Sequence, residues 1–452
     1  MKFKTAFYIF GTSLVLTFAS CLGDGDNSEI IYSPDAEIIS FSIQNDSIVK
    51  GLDAIKFSID QINGEIYNKD SAAYGLKLTD RVILTYSTAS GSEILNITNI
   101  AEGDSVWVKS GDSIDFTKPL KFRSYAITGD TKEYNVKFNI HKVDPDSIWW
   151  KQVNKDLEFL DYGVYVTDKK AFIFNDIFYC FTHRFGNLSG YTLTCVNISS
   201  DMGVNWKSTN VNGIFEPNLS QMQQYGDELF VCSSRDHLYK AALNDNFTTW
   251  TPVPSAYSIK NIFGTLTLDI KNKKEVLVLA VEQAGKKYFA TYDGISISLD
   301  DDTQYEVPSE FPTEAFSSIS HTRANVGRLT VAGGDKSAVW ETMNGFQWTQ
   351  LGVLPSQIQG ANVFLYDDKF YLLNGITNGK YNDAVYTSVN QGLTWSLAPS
   401  KTYLPSSYVF RAGASVVVSD DDMIYIIGGR LNEAPWDIMT DIWKGRLNRL
   451  NK

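Results

Sequence analysis

Short runs of alternating apolar and polar residues fill the first third of the chain. Glu37–Ile43, Ala54–Ile59, Arg81–Tyr86, Ser105–Val108 and Glu133–Ile140 each read with the two-residue period of a half-buried strand. Clusters of Gly, Asp and Ser separate them, and no helical period runs past two turns. Residues 33–143 are therefore expected to form a small all-β sandwich. From residue 144 to 452 the alternation becomes a repeat. A segment built on an aromatic followed by a polar residue recurs at Trp206, Trp250, Tyr305, Trp348 and Trp395, in steps of 44, 55, 43 and 47 residues. Trp150 is a further copy, 56 residues before Trp206. Periods of about 40–50 residues with Trp and Gly signatures predict the four-stranded blades of a β-propeller. The last unit, from Arg411 to Leu450, has three strand-like segments and no Trp strand of its own. If residues 149–153 supply it, an N-terminal strand closes a six-bladed ring and removes the open edges. Seven blades or an open array are the alternatives.

Several motifs carry resemblances. The segment from Ile114 through the Gly129-Asp130 turn to Glu133-Tyr-Asn-Val136 resembles the end of bacterial immunoglobulin-like domains. That likeness implies a closing hairpin and a spacer role, with adhesion as the alternative. Arg411-Ala-Gly-Ala-Ser, then Met423-Ile-Tyr-Ile-Ile-Gly-Gly429, then Asp441-Ile-Trp443 resembles a kelch repeat. Arg323 with Gly333-Gly334 and Trp340 is a looser copy, and the unit containing Lys369–Gly375 has one glycine where kelch has two. Glycine at that point suits a place where strands crowd together. Ser199-Ser-Asp-Met-Gly-Val-Asn-Trp206 and Ser388-Val-Asn-Gln-Gly-Leu-Thr-Trp395 resemble the Asp-box of sialidase-like propellers, and Thr342–Trp348 is a shorter version. There, a carboxylate or amide is expected to lock a turn by accepting backbone N–H groups while the Trp packs between blades.

The first residues read as an address. Lys2 and Lys4 precede an apolar stretch from Ala6 to Ala19, too short to span a bilayer, so residues 1–20 read as a signal peptide. Phe18-Ala-Ser-Cys21 resembles a bacterial lipobox, which implies that Cys21 carries lipid; an ordinary signal peptide is the alternative. Residues 21–32 are Gly-rich and acidic and read as a tether. The acidic run is similar to the export tag of Bacteroidetes-type surface lipoproteins. The expected location is the outer membrane, exposed to the medium and held by a lipid anchor.

Composition narrows the chemistry. A net charge of −12 in 452 residues argues against nucleic acid, which needs clustered Lys and Arg. Four Cys and four His leave little for a metal site, and no cofactor or metal is expected. Asp300-Asp-Asp302 and Asp420-Asp-Asp422 read as solvated turns rather than calcium ligands. A sialidase would require an arginine triad, for which Arg323, Arg411 and Arg430 are candidates that could converge on the axis and bind a carboxylate, but no Asp-rich or Tyr-Glu element resembles the rest of such a site. The competing reading makes Arg323 and Arg411 ordinary kelch arginines bonded to backbone. Trp436, in a polar insertion, is the candidate for stacking on a sugar. A turn centred between Asn187 and Leu188 would set Cys180 opposite Cys195, a disulfide candidate, with two reduced core thiols as the alternative. The expected function is recognition of a glycan or a protein partner. A glycoside hydrolase, needing two carboxylates, or a sialidase-like enzyme is the alternative.

Overall fold

The computed structural model describes residues 31–449 except 46, 93, 156, 158–163, 187–191, 301 and 432–437. Its described residues are all-β, with short 3-10 turns and no α-helix. The chain divides at Asp144 into two compact units.

In the first unit two sheets enclose one apolar core. One orders Ile38–Gln44, Val82–Thr88 and Ser113–Ile114. The other orders Phe57–Asp60, Glu65–Asn68, Thr131–Lys137, Leu120–Tyr125, Ile94–Asn99 and Ser105–Lys109. Alternation decides which side chains enter: Val82, Leu84 and Tyr86 are buried, as are Leu120 and Phe122 from the opposite sheet. The Gly129-Asp130 turn closes the expected hairpin, with Tyr125 opposite Thr131. Tyr134 ties the sheets together. Its hydroxyl accepts from the Ile38 N–H (3.0 Å) and donates to Gln61 Oε1 (2.6 Å).

The second unit contains six four-stranded antiparallel sheets among the described residues. In chain order their first strands are Val164–Phe174, Gln223–Tyr225, Ser258–Asp269, Ser317–Arg323, Asn362–Tyr366 and Ser415–Val418. The recurring aromatics open or immediately precede the outermost strands, such as Lys207–Asn210, Trp348–Val353 and Ser396–Leu397. Tyr305 is the variant. Its carbonyl accepts from the Phe289 N–H (2.9 Å), beyond the short outer strand Ile297–Ser298. The long step before it arises because Ser258–Asp269 and Lys274–Gln283 are the unit's longest pairing, 12 and 10 residues.

The sixth sheet takes its outer strand from the beginning of the unit. Ile148–Asn154 runs antiparallel to Ile442–Leu447, with Trp150 opposite Gly445. The indole covers the glycine so closely that an added Cβ would lie 2.4 Å from the ring. Apolar clusters fill the spaces between consecutive sheets. Phe181 and Leu229 meet between the first and second, Phe263 and Leu329 between the third and fourth, and Tyr371 and Ile424 between the fifth and sixth. A further cluster joins the last sheet to the first through Tyr425, Ile427, Phe178 and Cys180. Burial of one such Phe or Leu contributes roughly 1.5–3 kcal/mol, so these clusters dominate the stability of the unit.

Of the two readings of Cys180 and Cys195, the register supports the reduced thiols and corrects the bridge candidate. Cys180 lies opposite Asn197, and Cys195 opposite Thr182. The hairpin is centred one residue later than expected, which makes the two cysteines diagonal neighbours. Such pairs sit about 7–8 Å apart, outside the range a disulfide spans without backbone movement. Both thiols are free and buried, and burial pushes the Cys180 thiol up to about 12.

Candidate functional site

Where the first strands of the first, fourth, fifth and sixth sheets approach one another they leave a cavity of about 800 Å³. Hydrogen bonds stitch the rim from sheet to sheet. Ser220 N–H donates to Asp168 Oδ2 (2.9 Å), Asn261 Nδ2 to Gln221 Oε1 (3.3 Å), and Ser320 Oγ to the Thr265 carbonyl. Val363 N–H then donates to Ser317 Oγ (3.0 Å), Asn362 Nδ2 to the Ala414 carbonyl (2.7 Å), and Ala171 N–H to Ser415 Oγ (2.9 Å). Small residues at these positions, such as Gly360, Ala361, Gly413 and Ala414, keep the centre open.

The charge in the cavity comes from the middle of the first strand, Asp168-Lys169-Lys170, and from Arg430. Asp168 is already engaged: its two oxygens accept the backbone N–H groups of Lys169 (2.8 Å) and Ser220 (2.9 Å). Burial pushes its carboxyl up, and those donors oppose the shift. Lys169 is 8% exposed, and its stem lies against Gly428. Burial first, and the Arg430 guanidinium second, hold its ammonium down to about 8. Lys170 is lowered too, again by burial. Among the described residues neither lysine makes an ion pair. His183, also on the wall, hydrogen-bonds Thr194 Oγ1 (2.9 Å), and burial lowers its imidazole.

The arginines do not converge. Arg430 lines the cavity, its backbone paired with Ala412. Arg411 is fully buried beneath it. Its guanidinium bonds both Asp441 oxygens, the Val409 carbonyl (2.7 Å) and the Gly428 carbonyl (3.2 Å), and lies 4.4 Å from the Tyr408 ring centre. Arg323 is exposed at the far tip of its strand, opposite Val326 across a turn, whereas the cavity is lined by Ser317–Ser320 at the other end. The triad expectation is thereby corrected: strand direction separates Arg323 from the cavity, and a carboxylate of the chain itself occupies Arg411. Trp436 and Cys21 lie outside the described residues. Sequence reading passed over Lys169 and Lys170. The signal was three consecutive charges leading into the apolar run Ala171-Phe-Ile-Phe174, an arrangement a buried strand does not ordinarily carry.

The turns before the recurring Trp residues have a common build. Ser199 Oγ accepts the Gly203 N–H (2.9 Å), and Asp201 accepts the N–H groups of Val204 (3.1 Å) and Asn205 (2.9 Å). These bonds hold the Asp201 carboxyl down to about 2. Ser388 and Asn390 repeat the arrangement, as do Thr342 and Asn344. These turns lie in the outer parts of the sheets, away from the cavity, and their role is to set the outer strand.

Comparison with curated proteins gave no match. Residues 37–138 match the family description DUF6242 N-terminal domain, a domain of unknown function, and residues 144–451 match the DUF6242 beta propeller domain. The six sheets and their shared cavity thus lie within a β-propeller domain, and the chain belongs to the DUF6242 family.

Proposed function

We propose that this protein is a lipid-anchored, surface-exposed binding protein whose propeller presents an axial cavity to an extracellular glycan. In this reading the six sheets are blades of a closed ring. The pairing of Ile148–Asn154 with Ile442–Leu447, the cluster between last and first sheets, and the hydrogen bonds passing around the rim support closure. The Arg411–Asp441 pair beside Gly428-Gly429 supports the kelch likeness, and the three bonded turns support the Asp-box likeness. The first unit would be an immunoglobulin-like spacer, and Cys21 the lipid attachment point.

The observation that carries the function is the cavity wall. It combines small residues and hydroxyl and amide side chains with apolar ones such as Ile319 and Phe364, its size suits a sugar, and Asp168 is its one carboxylate among the described residues. Hydrolysis of a glycosidic bond by either common route needs a second. Binding therefore fits better than a hydrolase that works with two carboxylates. The test is a glycan array probed with the full chain in mild detergent, run alongside a panel of fluorogenic glycosides. Saturable binding to a defined set of glycans without turnover is the expected result. Turnover that a cavity substitution removes would replace binding by catalysis, and capture of no glycan would sink the reading.

A further inference from the structure

We propose that the first unit carries a carbohydrate-binding face of its own, on which Trp107 and Tyr125 stack against the sugar rings of a polysaccharide. The inference is independent of the axial cavity and gives this unit a task beyond that of a spacer. The face is the outer side of the six-stranded sheet. Alternation sends Leu95, Val108 and Phe122 into the core and leaves Asn96, Trp107 and Tyr125 on the opposite side. Asn96 lies opposite Trp107 on one neighbouring strand and opposite Arg123 on the other. Across this central strand the Trp107 and Tyr125 rings meet, with centres 5.1 Å apart and planes tilted by 40°.

A lone exposed apolar side chain needs no explanation, but this is a patch. Trp107 is 59% exposed, with Tyr125 half-buried against it, and Ile94 on the same face is 42% exposed. Three such side chains fall well short of the roughly 800 Å² per partner that a stable protein interface buries. A sugar needs less. Its ring offers an apolar C–H face to an aromatic side chain and hydroxyls at its edge to polar groups.

Asn96, on the strand between the two rings, is the polar group that such a ligand would meet. It is 8% exposed, and its Oδ1 accepts from Thr98 Oγ1 (3.5 Å), but its Nδ2 donates to nothing among the described residues. A buried amide N–H without an acceptor is costly, and a sugar hydroxyl supplies one. Charge plays little part. Lys121 Nζ is bound to Glu133 Oε2 (3.0 Å) and Arg123 Nε to Glu133 Oε1 (3.0 Å), and Arg123 also holds the Tyr125 hydroxyl. Of the basic residues on these three strands only Lys109 makes no ion pair among the described residues.

Affinity electrophoresis and calorimetry on the full chain in mild detergent test this with soluble starch, xylan, galactomannan, mixed-linkage β-glucan and polygalacturonate. At least one should bind saturably, and binding should persist at about 1 M salt, where charge contacts are screened beyond about 3 Å. Trp107→Ala should weaken it about tenfold or more, the scale of an aromatic hot spot. Trp107→Phe should keep part of the affinity. Asn96→Asp, which exchanges the donor nitrogen for an oxygen, should lose part of it; a thermal melt checks that each variant is folded. Binding unchanged in folded Trp107→Ala would overturn the inference and assign capture to another part of the chain. Binding abolished by salt would overturn it too, since charge would then do the recognition. If no polymer binds and sedimentation shows a dimer that Trp107→Ala dissolves, the face is a contact between copies of the chain instead. Absence of binding to every polymer sinks the inference, while the axial reading is judged separately by its own array.

Discussion

Arg411 and Gly429 explain each other. An arginine buried in a propeller interior must find acceptors for its guanidinium, and Asp441, Val409 and Gly428 provide them. Its aliphatic stem then fills the space beside Gly429, where an added Cβ would approach it to 2.5 Å, at a φ of +124° that L side chains rarely adopt. The Gly-Gly pair is thus a packing requirement: Gly428 makes room for Lys169 and Gly429 for Arg411. Asp441 also accepts from the Trp443 indole N–H (2.7 Å), which joins the pair to the core. Asp441→Ala would strand a buried guanidinium and should destabilise the propeller by about 3–5 kcal/mol. Chemical denaturation of the full chain measures this, and a loss below about 1 kcal/mol, the range of an exposed pair, would mean that Arg411 finds other partners.

At the scale of elements, the strand Ile148–Asn154 has the greatest consequence for its length. It covers the edge of Ile442–Leu447, and Trp150 packs over Gly445 and donates to the Thr402 carbonyl (3.4 Å). A glycine inside a strand weakens pairing, and a cross-strand aromatic restores the lost contact. Ile148 also enters the core between the fifth and sixth sheets. Removing Ser147–Val153 should therefore unfold the propeller rather than trim a linker. A variant lacking it that still melts cooperatively at an unchanged temperature would contradict this role. The first unit depends on pairing of the same kind but on a different pattern, since Glu65–Asn68 runs parallel to Thr131–Lys137. Parallel neighbours cannot be joined by a tight turn, so two strands far apart in the chain must meet.

For the whole molecule, the arrangement proposed here makes attachment and recognition separate tasks. The lipid on Cys21 and the acidic tether would hold the protein at the membrane, while the cavity in the propeller and the aromatic face of the first unit do the binding. No helix among the described residues is long and apolar enough to cross a membrane. Cys21→Ala should accordingly move the protein from the membrane fraction to the soluble one while leaving sugar binding intact. Fractionation with immunodetection reads the first effect, and continued membrane association would remove the lipid from the account.

The period of the Trp segments determined where the outer strands fall, because each aromatic packs against the neighbouring sheet and so must recur once per sheet. Local chemistry was equally readable: Asp201 and Asn390 lock their turns through bonds reaching only a few residues along the chain. Strands with weaker alternation, such as Ile94–Asn99, escaped notice, since burial there follows from partners elsewhere in the sheet. The Cys180–Cys195 register was beyond reach for a related reason. A shift of one residue in the hairpin centre leaves every local preference satisfied, whereas the observed register buries Asn197 where its amide donates to the Cys180 carbonyl (2.8 Å). The site followed the same rule. Arg323, Arg411 and Arg430 look alike in sequence, but one ends at a strand tip, one meets Asp441 and one lines the cavity. Lys169 and Lys170 acquire their importance only because strands separated by some 250 residues are brought around the same space. Periodicity and turn chemistry depend on neighbours in the chain and can be read from it. Which charges share a cavity depends on long-range contacts, and only the tertiary structure decides that.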